Sequence, residues 1–455
     1  MTIELTPNGV ACNMDCPYCY QKPMRDAGNI SHGYDMAKMK EGLLKEGGAF
    51  ALFGGEPLLL PLDDLEELFA FGLERYGSNG LQTNGSLITP EHVALFKRYR
   101  AYVGISVDGP GDLNDNRWMG SFEKTRIATA ASMRAIEMLC QAGIAPSLII
   151  TLHRANALGE HLTRLLQWFR DLEQIGVRYI RLHLLEVENE HIRNTLALTI
   201  DENIDALLRL YDFQKATSLQ FDLFREMAQL LLGNDYNSTC IWNACDPYTT
   251  AAVRGVDGQG VSSNCGRTNK DGVNWQKADK PGFERQIALY STPQSDLGCQ
   301  GCRFFFACKG QCPGTAEHGD WRNRSEHCEI WKALFEQIEG DLRGLGFEPL
   351  SMSTKRLELE ARMLEAWANG QNISIQNALR NSAAPCPDRE HGDHWDAPDG
   401  YHHSDGAFDI HGDSGKTIMH GDSNARLDAT YMGQPGRTSN LGTTTSTYPV
   451  RLVPS

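Results

Sequence analysis

The chain has 455 residues, 41% of them hydrophobic, with 13 cysteines, 14 histidines and a formal charge of −15. That length exceeds the roughly 200 to 250 residues of a single barrel domain, so a second domain is expected. The acidic balance argues against a general grip on nucleic acid, which needs a basic face, and no apolar run approaches the roughly 20 residues of a membrane span.

The chain opens Met1-Thr2-Ile3-Glu4-Leu5, without the basic and apolar pattern of a signal peptide, so a cytoplasmic location with no membrane partner is expected. Over the first two hundred residues, short apolar runs alternate with longer amphipathic ones, the pattern of repeated βα units around a parallel sheet. Six strands are predicted, at Ile3–Leu5, Phe50–Phe53, Gly80–Thr83, Tyr102–Val107, Ser147–Leu152 and Tyr179–Leu185. Between them the periodicity predicts helices over Asp63–Tyr76, Thr89–Tyr99, Ser121–Ala142 and Gly159–Ile175. The expected fold class is α/β, a partial (β/α)6 TIM-type barrel over residues 1–230, with ligands at the C-terminal ends of its strands.

From about Tyr236 the composition shifts to Gly, Asn, Asp and Cys, which builds no large apolar core and calls for inorganic staples. A small cysteine-rich, cluster-binding domain is expected over residues 236–345, ending in a helix over Cys328–Leu345. A helical extension over 346–382 follows, carrying a predicted helix at Ser353–Asn369. Residues 383–455 form a Gly/Asp/His-rich tail expected to be disordered. The tail holds six of the histidines and repeats His-Gly-Asp at His391, His411 and His420. A plain extension, a weak metal-binding tract and a fused peptide substrate are the readings its composition leaves open.

The cysteines sit at ligand-like spacings in a large chain with no export signal, which favours metal or cluster ligation over disulfides. Cys12, Cys16 and Cys19 follow the first predicted strand. A [4Fe–4S] cube normally takes four cysteines, so three leave one iron open to chelate an amine and a carboxylate. A structural zinc site wants four closed ligands, and no fourth Cys or His lies in this loop.

With Tyr18 before the third cysteine, this segment resembles the defining motif of the radical S-adenosylmethionine (SAM) superfamily. Gly54-Gly55-Glu56-Pro57, at the end of the second strand, resembles the family's segment that receives the SAM amino group; glycine admits a close backbone approach and a carboxylate suits an ammonium. Gln82-Thr83-Asn84-Gly85 and Ser106-Val107-Asp108-Gly109-Pro110 stand where the family places contacts to the SAM ribose and carboxylate. The resemblance therefore implies SAM contacts at Tyr18, Asn84, Ser106 and Asp108, with Arg126 as carboxylate partner and Arg117 as its rival. His153 and His183 are candidates for the barrel mouth, though a satisfied structural histidine is the commoner outcome.

Eight further cysteines resemble the SPASM domain of radical SAM enzymes that mature peptides and proteins. The resemblance implies two auxiliary [4Fe–4S] clusters, one on Cys240, Cys245, Cys265 and Cys312 and the other on Cys299, Cys302, Cys308 and Cys328. Paired zinc ribbons are the alternative. Cys140 reads as a buried core residue and Cys386 as a free thiol. The implied cofactors are SAM and three [4Fe–4S] clusters, and the implied partners are a peptide or protein substrate and an electron donor such as flavodoxin or ferredoxin. No catalytic acid or base is assigned.

Sulfatase-maturing members carry an acidic residue after the third SPASM cysteine, where this chain has Gly266, which weighs against formylglycine formation. The cluster loop begins at residue 12, so no N-terminal leader-binding domain is expected. The leading expectation is a maturase that crosslinks or otherwise functionalises a ribosomally made peptide. Sulfatase-maturase-like modification, epimerisation and a non-enzymatic iron–sulfur or zinc scaffold are the alternatives.

Overall fold

The computed structural model describes residues 3–30, 33–187, 189–236, 238–247, 249, 253–263, 265–268 and 281–380, together with the backbone of three short strands near the C-terminus. Its main sheet is built from β1 (Ile3–Thr6), β2 (Phe50–Leu52), β3 (Asn79–Thr83), β4 (Ala101–Ser106), β5 (Ser147–Leu152), β6 (Tyr179–Leu184), β7 (Gln220–Phe221), β8 (Arg254–Asp257) and β9 (Ser262–Ser263). The strand order is β7-β6-β5-β4-β3-β2-β1-β8-β9, parallel throughout except for the β8–β9 hairpin. Strands β1 to β6 are the six predicted units, in sequential order, and the sheet remains open at β7 and β9. This is the expected α/β partial barrel.

Burial on both faces explains the composition of these strands. Ile3, Leu5, Phe50, Leu52, Leu81, Ile105, Leu148, Ile150 and Ile180 are all sealed from solvent, as in a parallel sheet covered by helices. The predicted helices appear as Leu62–Tyr76, Pro90–Arg98, Phe122–Gln141 and Glu160–Ile175. Others were not predicted. Helix Met36–Glu46 starts at Asp35, whose carboxylate accepts from the Ala37 and Lys38 amides, and stops at left-handed Gly47. Helix Ile200–Gln214 starts with a capping box of Thr199 and Glu202.

Two features join the cysteine-rich segment to the barrel. Strand β8 pairs in parallel with β1, Leu5 opposite Val256, so part of the segment assigned to a second domain extends the barrel's own sheet. Helix Asp222–Leu231, buried at every position after Asp222, packs against β6 on one side and helix Cys328–Gly344 on the other. Trp242 completes the seam, edge-on to Trp331 and Phe335 at centroid distances of 5.7 and 5.5 Å.

Helix Arg356–Ala368 packs back on helices Glu284–Ser291 and Phe305–Cys308, with Trp367 against Phe283 and Phe305. In the tail, strands Ile418–His420, Ala425–Asp428 and Leu452–Pro454 pair antiparallel, where the sequence predicts no regular element. The rest of the tail, Cys386 included, lies outside the described residues. No helix among the described residues is long and apolar enough to cross a membrane.

Leu230 is wholly buried in the helix shared by barrel and cysteine-rich segment. Leu230→Ala is expected to destabilise the chain by about 2–5 kcal/mol. Denaturant unfolding, followed by tryptophan fluorescence, measures the loss.

Candidate functional site

The loop after β1 is clamped to the end of β2 by backbone alone. Gly55 N donates to Gly9 O at 3.1 Å and Glu56 N to Ala11 O at 2.9 Å. A Cβ on Gly55 would lie 2.0 Å from Ala11 O, and one on Gly54, at φ +111°, would lie 2.4 Å from Gly9 O. The close approach that requires these glycines is therefore made to the cysteine loop itself.

The clamp holds Cys12, Cys16 and Cys19 in one small cluster with Met14, Tyr18 and Leu185. None of the three is in a disulfide. Burial pushes the Cys12 thiol up to about 11 and Cys16 higher still, and each is raised further by the others' charge. The Arg25 guanidinium faces Cys19 and Cys12. Among the described residues no three His, Cys, Asp or Glu groups close in as one metal ion requires.

The ends of β2, β3 and β4 form a polar rim beside this loop. Glu56, which the resemblance offers to an ammonium, is buried, and its Oε1 accepts from Thr83 Oγ1 at 2.6 Å and Leu58 N at 3.0 Å. Its Oε2 accepts from Asn84 N at 2.8 Å. The carboxylate therefore ties two strand ends together. Pro57 opens the short turn that follows it. Asn84 Nδ2 donates to Asn13 Oδ1 at 2.8 Å, binding β3 to the cysteine loop.

Ser106 accepts from Gln82 Nε2 at 2.8 Å, which leaves Gln82 Oε1 buried with no partner. An orphaned acceptor beside a hydroxyl, at the C-terminal strand ends, fits a ligand that donates a hydrogen bond. The sequence quoted Gln82 within its motif and assigned it no role. Its unpaired oxygen shows only in three dimensions.

Asp108 is a buried hub. Its Oδ1 accepts from Arg117 Nη2 at 2.9 Å and from Thr151 N at 3.0 Å. Tyr18 Oη donates to Oδ2, and His153 Nε2 stands 3.6 Å from the same oxygen. Burial pushes the carboxyl up, but Arg117, His153 and Tyr18 outweigh it and hold Asp108 well below the usual range. Tyr18 and Asp108 thus engage each other inside the protein, and of the two arginine candidates it is Arg117 that lies buried. Arg126 lies on the surface, paired with Asp115. His153 caps helix Arg154–Ala157 as a structural histidine.

In the cysteine-rich segment, Cys299, Cys302, Cys308 and Cys328 line one cavity of about 360 Å³, walled by Phe304, Phe305 and Phe335. Burial raises Cys299 to about 12 and pushes Cys308 well up from its ordinary value. Cys312 and Cys245 act on each other, and Cys312 opens on a second cavity of about 550 Å³ with His183, Glu186, Arg267 and His327. Cys240 and Cys265 are half-buried and in no disulfide. Cys140 packs against the barrel core. A Cβ at Gly266 would lie 3.2 Å from the Tyr20 ring. The neighbouring Arg267 carries the polar contacts, to Glu186 Oε1 at 3.3 Å and His183 Nδ1 at 2.9 Å.

Residues 9–157 match the family model of the Radical SAM superfamily. The cysteine-type anaerobic sulfatase-maturating enzyme of Clostridium novyi is 21% identical over 370 residues, 74% of this chain and 95% of that protein. The serine-type anaerobic sulfatase-maturating enzyme of Klebsiella aerogenes is 28% identical over 214 residues, 44% of this chain and 50% of that one. The solved structure described as native anSMEcpe with bound AdoMet superposes with a TM-score of 0.59 at 19% identity, covering 76% of this chain and 98% of that one.

Asp108→Asn leaves the Arg117 charge buried without its counter-ion, at an expected loss of about 3–5 kcal/mol near neutral pH. Because the folded carboxyl titrates lower than an unfolded one, at about 3.9, its contribution is complete above that value and is lost as pH falls below it. Urea titrations of both proteins between pH 7 and 3 should show the gap narrowing below about pH 4.

Proposed function

From a chain that carries a radical SAM domain over residues 9–157, we propose a SAM-cleaving, peptide-modifying enzyme with three [4Fe–4S] clusters. One sits on Cys12, Cys16 and Cys19, and two auxiliary clusters sit on the sets Cys240, Cys245, Cys265, Cys312 and Cys299, Cys302, Cys308, Cys328. The observation that carries the reading is the set of three thiols outside any disulfide, Cys16 buried and Cys12 and Cys19 half-buried, clamped by Gly54 and Gly55 beside an orphaned acceptor at the strand ends. With its cluster bound, the loop would supply one-electron cleavage of SAM to methionine and a 5′-deoxyadenosyl radical that abstracts a substrate hydrogen.

The chain's own residues do the positioning. Gly54 and Gly55 fix the cysteine loop, and Glu56 and Asn84 lock the strand ends around it. Gln82 Oε1 and Ser106 offer polar contacts to the bound cofactor. The Asp108 hub holds Tyr18 and Arg117 rigid behind the thiols, so that the radical carbon is aimed at one C–H bond. The cavity beside Cys312 lies between β6 and the cysteine-rich segment and receives the peptide side chain. With clusters bound, the two auxiliary cysteine sets would take up the electron that closing a bond from a substrate radical releases, and a flavodoxin or ferredoxin type of donor would supply the electron for SAM.

Two products fit the site. A crosslink in a ribosomally made peptide is the first, favoured by Gly266 in place of an acid. Oxidation of a serine or cysteine to an aldehyde is the second, favoured by the sulfatase-maturating relatives. For that reaction Glu186 and His327, beside Cys312, are the bases at hand.

Anaerobically reconstituted protein should hold about twelve irons, the sum of three four-iron cubes, and convert SAM to 5′-deoxyadenosine with dithionite. The triple alanine variant at Cys12, Cys16 and Cys19 should keep about eight irons and lose cleavage. Zinc in place of iron, or no cleavage by iron-replete wild type, would refute the reading. Treating modified peptide with a hydrazide separates the products, because only the aldehyde is captured.

A further inference from the structure

Arg285 is 2% exposed, in the first turn of helix Glu284–Ser291. A buried guanidinium needs acceptors for its five N–H groups and an anion for its charge. It finds acceptors. Nε donates to Trp321 O at 2.6 Å, Nη1 to Gln311 O at 3.0 Å and Cys245 O at 3.5 Å, and Nη2 to Asn323 O at 2.9 Å and Gly310 O at 3.4 Å. All five are backbone carbonyls, which satisfy hydrogen bonds and leave the charge uncompensated.

Among the described residues Arg285 forms no ion pair with a carboxylate, and the charges that act on it most are those of Cys245, Cys312, Cys299 and Cys308. The first two belong to one proposed ligand set and the last two to the other. Nη1 meets the carbonyls of Cys245 and of Gln311, next to Cys312, and Nη2 meets that of Gly310, two residues after Cys308, so the guanidinium lies between the two sets. As neutral thiols these groups offer a cation nothing. As thiolates around four-iron cubes they bring a net negative charge that grows on reduction. Arg324 makes a contrast: it acts on Cys299 and Cys328, both of one set.

We propose that Arg285 is the shared counter-cation of the two auxiliary clusters, compensated by their charge and raising both reduction potentials together. This rests on the three-cluster reading above. A cation stabilises the more negative, reduced form of each cluster, so one residue sets how readily either accepts the electron leaving the substrate radical. Arg285 touches no substrate and acts only through the clusters.

The test is EPR-monitored potentiometry of full-length, anaerobically reconstituted wild type, Arg285→Gln, Arg285→Lys and Arg324→Gln, each with iron and sulfide counted first. In Arg285→Gln the reduction equilibrium of both auxiliary clusters should fall at least tenfold, about 59 mV lower for each one-electron couple. The cluster on Cys12, Cys16 and Cys19 should be unmoved. Arg285→Lys should stay near wild type, and Arg324→Gln should shift one auxiliary cluster only. If Arg285→Gln fails to load while Arg285→Lys loads, the requirement for charge stands. Unchanged auxiliary potentials in a loaded Arg285→Gln protein overturn the proposal, and so does equal failure of both Arg285 variants to load. A wild type holding only about four irons overturns the three-cluster reading itself, before any variant is compared.

Discussion

Sulfur kept out of disulfides is the constraint on which the rest of this structure depends. The described cysteines form no disulfide, and burial raises the thiols of Cys12, Cys16, Cys299, Cys308, Cys312 and Cys328. Around them the chain places cations: Arg25 beside Cys19, Arg324 beside Cys299, and Arg285 between the two auxiliary sets. A buried cation without a counter-charge is costly, and thiols that gave up their protons to iron would supply one.

The barrel gives that arrangement its rigidity. The ends of β2, β3 and β4 contribute polar groups that bind to protein partners before they meet any ligand: Glu56 to Thr83 and Asn84, Gln82 to Ser106, Asp108 to Arg117 and Tyr18. The same hub reaches β5 through the Thr151 amide. A radical enzyme gains from such a frame, because a reactive carbon must meet one C–H bond and no other. The cysteine-rich segment shares the frame. Strand β8 lies against β1, and helix Asp222–Leu231 is buried between β6 and helix Cys328–Gly344.

Much of this was legible in the sequence, for physical reasons. Strand β5 appears at its predicted bounds because an apolar run flanked by turn residues has only one way to sit in a doubly covered sheet. Helix Met36–Glu46 escaped because it buries only Met39, Gly42 and Leu43, although Asp35 and Gly47 marked its ends. Strand β8 escaped because it is short, polar at both ends and made a strand by a partner some 250 residues away. The site was legible in its residue types and not in its partners. Glu56 and Asp108 stand at strand ends, where the sequence predicts contacts to a cofactor, and their hydrogen bonds run to other groups of the protein. No local pattern could have picked out Arg285, whose meaning lies in four cysteines brought together by the fold.

The most direct measurement of the central claim is the EPR spectrum of the reduced, iron-replete protein with and without SAM. The account predicts that SAM changes the signal of one cluster only, the one with an open iron, and that the SAM-sensitive signal is missing from Cys16→Ala protein. A spectrum in which SAM changes nothing, or in which the sensitive signal survives Cys16→Ala, would contradict it.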